Sequence, residues 1–308
     1  MDNFINPPCP VCGDTSVNEK YRFRYHSGAV LDRLNISFND KVKLCLCKNC
    51  GHHYSVPRLN DFLINQYYSL DLSEYYRSDS VPDNILKKEN EEIVELINNY
   101  KAPGQVLEIG CGNGFLLNEF KKKGWECLGI EPSEQAVKFG KEILNLNIHK
   151  GYLNDCQCRN NSFDLVILMD VIEHISEPQK FMNSILSYLK NDGILVIGTG
   201  NICSLNAIIA RSAWSYFGSW EHISFYSPRS IRFLLSKVGL SHIKIIKRSY
   251  SGSKVSNLLS LIKNIKIVIK NAIKEVLNLL LNKSLKLQKV GLSSDHILVL
   301  ANKDEQDI

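Results

Sequence analysis

The chain has 308 residues, 44% of them hydrophobic, and a formal net charge of +5. This length suits a main domain of about 200 residues with additions. Residues 254–290 hold eight lysines and one glutamate, so the rest of the chain is slightly acidic, which excludes a global basic face for nucleic acid. Because no long uncharged apolar run and no signal pattern occur, we expect a cytoplasmic protein.

Two C-x2-C pairs, each closed by a glycine, mark residues 1–60 as a separate lobe. The cysteines of these pairs are Cys9, Cys12, Cys47 and Cys50. The closing glycine permits the tight turn that directs two sulfurs at one ion, and four thiolates satisfy tetrahedral zinc. We therefore predict a structural zinc site in a zinc-ribbon-like lobe. Cys45, His52 and His53 are near enough to replace a thiolate, free thiols are an alternative, and a disulfide is disfavoured in a reducing cytosol.

Residues 61–82 are predicted to be an aromatic linker. The segment contains two tyrosine pairs, Tyr67, Tyr68, Tyr75 and Tyr76. It can cover a site as a lid or pack the lobe against the main domain. The helix predicted over Asp83 to Tyr100 then opens the main domain, which we assign to 83–250 and 291–303.

The stretch Gln105 to Leu117, Q-V-L-E-I-G-C-G-N-G-F-L-L, predicts a buried strand, a ligand loop and a helix. Gly110, Gly112 and Gly114 allow a tight turn and a close approach of the backbone to a ligand. The dinucleotide pattern would need a glycine in place of Phe115, and the phosphate-loop pattern would need Gly-Lys-Ser/Thr. Neither is present.

The next strand, Glu126 to Ile130, delivers Glu131 at its carboxyl end, before a helix capped by Ser133. An acidic side chain at this place can accept both hydroxyls of a ribose. A free surface glutamate is the alternative.

Phe163 to Met169 predicts another buried strand, which opens into D-V-I-E-H-I. Asp170, Glu173 and His174 then lie beyond the carboxyl end of the strand, where open α/β sheets bind ligands. Glu173 and His174 can take part in catalysis, or they can form a structural hydrogen-bonded pair at a helix start.

An irregular aromatic segment leads to W-E-H-I-S-F-Y-S-P, which holds His222 and Tyr226 before a Ser-Pro helix start. A histidine titrates near working pH and can serve as general base. The alternative is a histidine that only hydrogen-bonds its own loop.

Residues 251–290 separate the last two predicted strands and are lysine-rich. On a helical wheel their apolar residues form one face, flanked by lysines. We expect an amphipathic helix that packs on the protein or on a second subunit, as in a homo-oligomer. A peripheral membrane contact through 254–281 is the alternative.

The motif E-I-G-C-G-N-G, followed by F-D-L-V-I-L-M-D-V-I-E-H-I, resembles the class I S-adenosylmethionine (SAM) methyltransferases over roughly Ile85 to Asn302. The resemblance implies a Rossmann-like α/β fold with a seven-stranded sheet whose last strand is antiparallel. It also implies that SAM contacts Glu108, Gly110, Gly112, Gly114, Glu131, Asn154, Asp155, Met169 and Asp170. Asp155 is favoured over Asn154 for the adenine amino group.

With the zinc lobe, the chain looks like the bacterial methyltransferases that join an N-terminal zinc-binding domain to this fold, several of which act on nucleotide-linked sugars. We therefore predict SAM-dependent methyl transfer to oxygen or carbon of a small sugar-containing molecule or glycan precursor. His222 is the expected base, with Glu173, His174 and Tyr226 as further catalytic candidates. The alternatives are a ribosomal RNA methyltransferase whose zinc lobe grips RNA, and a quinone or lipid methyltransferase at a membrane surface. A non-catalytic SAM-binding scaffold is disfavoured by the intact loop.

Overall fold

The computed structural model describes residues 3–24, 36, 41–68, 83–248 and 295–303. The strands are β1 (Phe4–Ile5), β2 (Val17–Phe23), β3 (Val42–Cys47), β4 (His53–Val56), β5 (Arg58–Leu59), β6 (Gln105–Ile109), β7 (Glu126–Glu131), β8 (Ile148–Lys150), β9 (Phe163–Met169), β10 (Leu189–Gly200), β11 (Ser224–Phe225), β12 (His242–Arg248) and β13 (His296–Asn302). The α-helices are α1 (Asp61–Tyr68), α2 (Asp83–Asn98), α3 (Phe115–Lys122), α4 (Glu134–Glu142), α5 (Pro178–Tyr188), α6 (Leu205–Ala210) and α7 (Pro228–Lys237). The predicted helix of 251–290 and residues 69–82 of the linker lie outside the described residues.

The main sheet has seven strands in the order β12, β13, β10, β9, β6, β7, β8. The five strands from β6 to β10 pair in parallel, and β13 runs antiparallel to both of its neighbours. This order confirms the predicted Rossmann-like α/β sheet with an antiparallel last strand. Strand order reverses between β6 and β9, and ligands of open α/β sheets bind beyond the carboxyl ends of the strands at such a point.

The central strands are buried on both faces, which explains why their sequences are apolar without alternation. One face packs against α2 and α3 through Ile97 and Phe120. The other packs against α5 and α7 through Ile185 and Leu234. The loops at the carboxyl ends of the strands therefore start from a rigid platform.

The cysteine lobe forms a four-stranded antiparallel sheet in the order β11, β4, β3, β2. Three of its strands come from the first 60 residues, but β11 comes from the segment before α7, with Ser224 opposite Tyr54 and Phe225 opposite His53. A strand of two residues has no periodicity, so the sequence could not reveal it. The lobe predicted as a separate unit thus shares its sheet with the main domain.

Helix starts follow their sequence signals. The hydroxyl of Ser133 accepts the N–H of Ala136 at the start of α4, and that of Ser227 accepts the N–H of Ser230 at the start of α7. Within the described part of the chain, no helix combines the length and the apolar character needed to cross a membrane.

Candidate active site

The loop after β6 has a left-handed backbone at its three glycines, with φ of 71° at Gly110, 52° at Gly112 and 80° at Gly114. Residues with a side chain avoid these angles, and a Cβ at Gly110 would also lie 2.6 Å from Cγ2 of Val171. The glycines therefore allow the backbone to turn back and present its N–H groups at the edge of the sheet.

The side chain of Glu131 is buried beside this loop at the end of β7, with 2% exposure. Its carboxylate accepts the N–H of Gly112 at 2.9 Å and the N–H of Ser133 at 2.9 Å. An acidic side chain at this strand end is the group with which dinucleotide-binding folds bind the hydroxyls of a ribose. The structure thus holds Glu131 rigidly where the sequence placed it.

Glu108 is buried in β6, one residue before that strand ends. Burial, followed by the negative charge of Glu131, raises its pKa to about 8. Its Oε2 atom has no hydrogen-bond partner among the described residues. A buried polar atom without a partner in this place suits a site completed by a ligand.

A groove opens above these residues and encloses about 1860 Å³, open solvent included. Its lining includes Gly110, Glu131, Asn154, Asp170, His174 and Glu221. The groove therefore brings together residues from four separate loops at the carboxyl edge of the sheet. With the glycine backbone and the two glutamates, this arrangement fits SAM.

Four of the nine predicted cofactor residues line the groove, and five do not: Glu108, Gly112, Gly114, Asp155 and Met169. Asp155 does not appear in the groove lining, because its carboxylate accepts the N–H of Tyr152 at 2.8 Å and so caps its own turn. Met169 packs its side chain over Gly198. Asn154 does line the groove, so the geometry favours Asn154 over Asp155 for the adenine edge.

We expect Gly110→Ala to weaken SAM binding and to lower the free energy of unfolding by more than about 1–2 kcal/mol, the usual cost of a side chain in this backbone conformation. Gly124→Ala is the matched control, because Gly124 has φ of 89° but no atom within 4 Å of the added Cβ. Urea unfolding and calorimetric titration measure both effects. Equal losses for the two variants would show that the contact with Val171 has no effect.

Glu173 lies next to His174, behind the wall of the groove, and is fully buried without lining the groove itself. Its carboxylate accepts the hydroxyl of Thr199 at 2.9 Å and the hydroxyl of Tyr216. Burial, followed by the charge of Asp170, raises the pKa of Glu173 to about 8. Glu173 thus can hold a proton near neutral pH.

Two histidines pack beside this carboxyl group, with ring centroids 4.9 Å apart. His174 lines the groove, whereas His222 does not. His222 donates its Nδ1–H to the carbonyl of Tyr216 at 2.7 Å. Since a carbonyl only accepts, this bond leaves Nε2 of His222 with its lone pair. Burial lowers the pKa of His222 to about 4 and that of His174 to about 3, so both rings are neutral at pH 7.

Glu173, His174 and His222 each place a ligating atom within 4.8 Å of the others, a spacing that a divalent cation can use. Both oxygens of Glu173 and one nitrogen of His222 already have hydrogen-bond partners. A cation bound here would therefore compete with these hydrogen bonds.

Several residues of this cluster were missed from the sequence. Tyr216 and Thr199 belong to an aromatic segment and a strand end without a recognisable motif, and Glu221 also lines the groove. His296 lies 3.9 Å from Asp170, because the antiparallel β13 brings its first residue to the carboxyl edge. Burial, the largest single cause, lowers the pKa of His296, but its bond to Asp295 and the negative charges of Asp170, Asp295 and Glu173 together outweigh burial, so the net pKa is raised.

Tyr226, a weaker catalytic candidate, is fully buried and does not appear in the groove lining. Its ring lies 4.7 Å from that of His52 in the cysteine lobe. This placement favours packing between the lobe and the main domain.

Each C-x2-C pair with its closing glycine is called a knuckle here, and the four knuckle cysteines lie close together. Their sulfurs lie within 4.8 Å of one another, with 3.5 Å between Cys9 and Cys50 and 3.5 Å between Cys12 and Cys47. Thiolates around tetrahedral zinc lie about 3.8 Å apart, given a Zn–S distance of about 2.3 Å. The knuckles therefore fit a closed structural zinc site, in which Cys45, His52 and His53 are not needed.

We expect the purified protein to contain about one zinc per chain and Cys47→Ser to contain almost none, since each thiolate is a ligand. Cys45→Ser is the matched control, because Cys45 is buried nearby but outside the cluster. Elemental analysis measures the metal. Full zinc content in Cys47→Ser would contradict the four-thiolate site.

Residues 84–245 match the family model described as a methyltransferase domain. Curated relatives include the ubiquinone biosynthesis O-methyltransferases of Bradyrhizobium sp. (strain ORS 278), 30% identical over 32% of this chain and 40% of the relative. That of Rickettsia canadensis is 25% identical over 46% of this chain and 64% of the relative. The chain thus spans 40% and 64% of the length of these two relatives.

Two solved structures share the fold. Haemonchus contortus phosphoethanolamine N-methyltransferase 2, in complex with SAM, has a TM-score of 0.53 and 16% identity, covering 82% of this chain and 62% of that one. A SAM-dependent methyltransferase of Thermotoga maritima has a TM-score of 0.50 and 16% identity, covering 72% of this chain and 90% of that one. Identities this low speak for the fold alone.

Proposed function

This chain belongs to the methyltransferase domain family, as a class I SAM-dependent methyltransferase, and from this premise we propose that its acceptor is a hydroxyl group of a quinone precursor. The observation that carries the proposal is a pair of neutral histidines at the groove, each of which can accept a proton. His174 lines the groove, and the ring of His222 packs against it with centroids 4.9 Å apart. The acceptor class follows the name shared by the curated relatives, ubiquinone biosynthesis O-methyltransferase. The sugar acceptor predicted from the sequence finds no support among these relatives, so we do not retain it.

In this proposal the residues of the cofactor half of the site bind SAM and orient it. When bound, SAM supplies a methyl group on a positively charged sulfur. In this proposal Glu131 accepts the ribose hydroxyls, Asn154 meets the adenine edge, and the backbone of Gly110 and Gly112 lies against the methionine part. Their rigid placement aligns donor and acceptor, which is the main source of rate for an in-line displacement.

The residues of the acceptor half move the proton. His222 accepts the hydroxyl proton on Nε2, because its Nδ1–H is engaged by the carbonyl of Tyr216. Glu173 holds the hydroxyls of Thr199 and Tyr216 and so fixes the wall of the site. Removal of that proton from the acceptor would make its hydroxyl oxygen the nucleophile for the methyl group that bound SAM would supply.

The test is turnover of SAM by the full chain with a prenylated catechol, an unprenylated catechol, a nucleotide sugar and ribosomal RNA as separate acceptors. We expect demethylated SAM to accumulate with the catechols, with the methyl group on oxygen by mass spectrometry and NMR. Methylation of the sugar or the RNA, with neither catechol modified, would overturn the proposed acceptor. SAM binding without turnover of any of the four would also overturn it.

A further inference from the structure

The cysteine lobe reaches the acceptor site through a short chain of hydrogen bonds. Ser55, in β4, is fully buried and donates its N–H at 3.0 Å and its hydroxyl at 3.3 Å to the carbonyl of Ile223. Ile223 in turn donates its own N–H to the carbonyl of Glu173 at 3.1 Å. Consecutive hydrogen bonds thus link Ser55 of the lobe to Ile223, the residue after His222, and Ile223 to Glu173.

His222 depends on this connection for its position. Its own N–H bonds to the carbonyl of Ser219 at 3.3 Å, and its ring bonds to the carbonyl of Tyr216. Both of these bonds join His222 to residues that precede it in the chain. On the other side, the backbone of Ile223 is held by Ser55 and Glu173, so the lobe supplies one anchor of the loop.

Both cysteine knuckles are also tied to helices that flank the acceptor site. Val11, between the first two cysteines, accepts a hydrogen bond from the side chain of Gln179 in α5. Asn49, between the other two, accepts one from Arg229 in α7 at 3.5 Å. A knuckle that binds zinc is rigid, so these contacts would fix the position of β4 relative to the main domain.

We infer that Ser55 is a positioning residue, through which the cysteine lobe holds the His222 loop in the geometry that the acceptor site needs. The activity part of this inference rests on the proposed methyl transfer. The structural part, the anchoring of the loop by Ser55, does not. In this inference the lobe, besides binding a metal, helps to position His222 in the acceptor site.

The test compares Ser55→Ala, which removes the hydroxyl donor, and Ser55→Pro, which also removes the N–H donor. Ser16→Ala is the control, because Ser16 lies in the same lobe and is exposed. For each variant we would measure the zinc content, the affinity for SAM and the hydrogen exchange of residues 219–226. The kcat would be measured with the acceptor that the wild-type protein methylates.

We expect kcat to fall about tenfold in Ser55→Ala and further in Ser55→Pro, with zinc content and SAM affinity unchanged. Exchange in residues 219–226 should quicken about fivefold or more, while exchange in 105–131 stays as in the wild type. A purely structural role would instead quicken exchange throughout and weaken SAM binding.

Wild-type exchange and kcat in both Ser55 variants would overturn the inference. If the wild type turned over no acceptor, the proposed function would fail, but the exchange of residues 219–226 would still decide whether Ser55 anchors the loop. If Ser55→Pro did not fold, Ser55→Ala with its retained backbone donor would decide the same question.

Discussion

Replacement of Glu131 by alanine is expected to weaken SAM binding by about 150-fold, or about 3 kcal/mol. The buried carboxylate accepts two backbone N–H groups, from Gly112 and Ser133, and in our proposal it also accepts the ribose hydroxyls. Its loss would leave those N–H groups unpaired at the edge of the pocket and release the glycine loop. Calorimetric titration with SAM and with its demethylated product measures the effect.

The matched control is Glu134→Ala, three residues further along the chain. Glu134 is 72% exposed at its side chain and pairs with Lys150, so its loss should leave SAM affinity within about twofold. Glu131→Gln separates charge from shape, since an amide keeps one acceptor oxygen. SAM affinity in Glu131→Ala equal to that of the wild type would remove Glu131 from the cofactor site.

Replacement of His222 by asparagine is expected to lower kcat by about 10² to 10⁴, the usual contribution of a positioned general base, with SAM affinity retained. The pH profile gives a second measurement. Burial lowers the pKa of His222 to about 4, so the neutral form that accepts a proton is present above that value. The wild-type rate should therefore be flat from pH 6 to 8 with respect to this group and fall only as the pH approaches about 4.

His174→Asn and His242→Asn complete this experiment. His242 lies at the start of β12, the edge strand of the sheet, and its loss should leave kcat within about twofold. A large loss of kcat in His174→Asn, together with an active His222→Asn, would transfer the role of base to His174, which lines the groove.

The cofactor half of the site could be predicted from the sequence because its determinants are local. Gly110, Gly112 and Gly114 follow one strand and Glu131 ends the next, and adjacent parallel strands bring their carboxyl ends together. The four cysteines likewise lie in two short knuckles. In each case a few neighbouring residues define both the backbone shape and the chemistry.

The acceptor half could not be predicted in the same way, because its contacts join distant residues. Tyr216 bonds to Glu173 across 43 positions, and no motif in the sequence pairs these two residues. His296 enters only because β13 runs antiparallel, and Asp155 turns away because a local cap at Tyr152 competes for its carboxylate. Such choices depend on tertiary packing and on the competition between hydrogen-bond partners.

The shared sheet of the cysteine lobe has a consequence for synthesis on the ribosome. Ser55 and its partner Ile223 are separated by 168 positions, so β4 is made long before β11 can cover it. At about 5–20 residues per second the interval is on the order of ten seconds. All four knuckle cysteines have emerged by then and can take up zinc, but β4 keeps an open strand edge, which is a template for aggregation. The nascent lobe therefore keeps an unpaired strand edge until residues 224–225 are made and pair with β4.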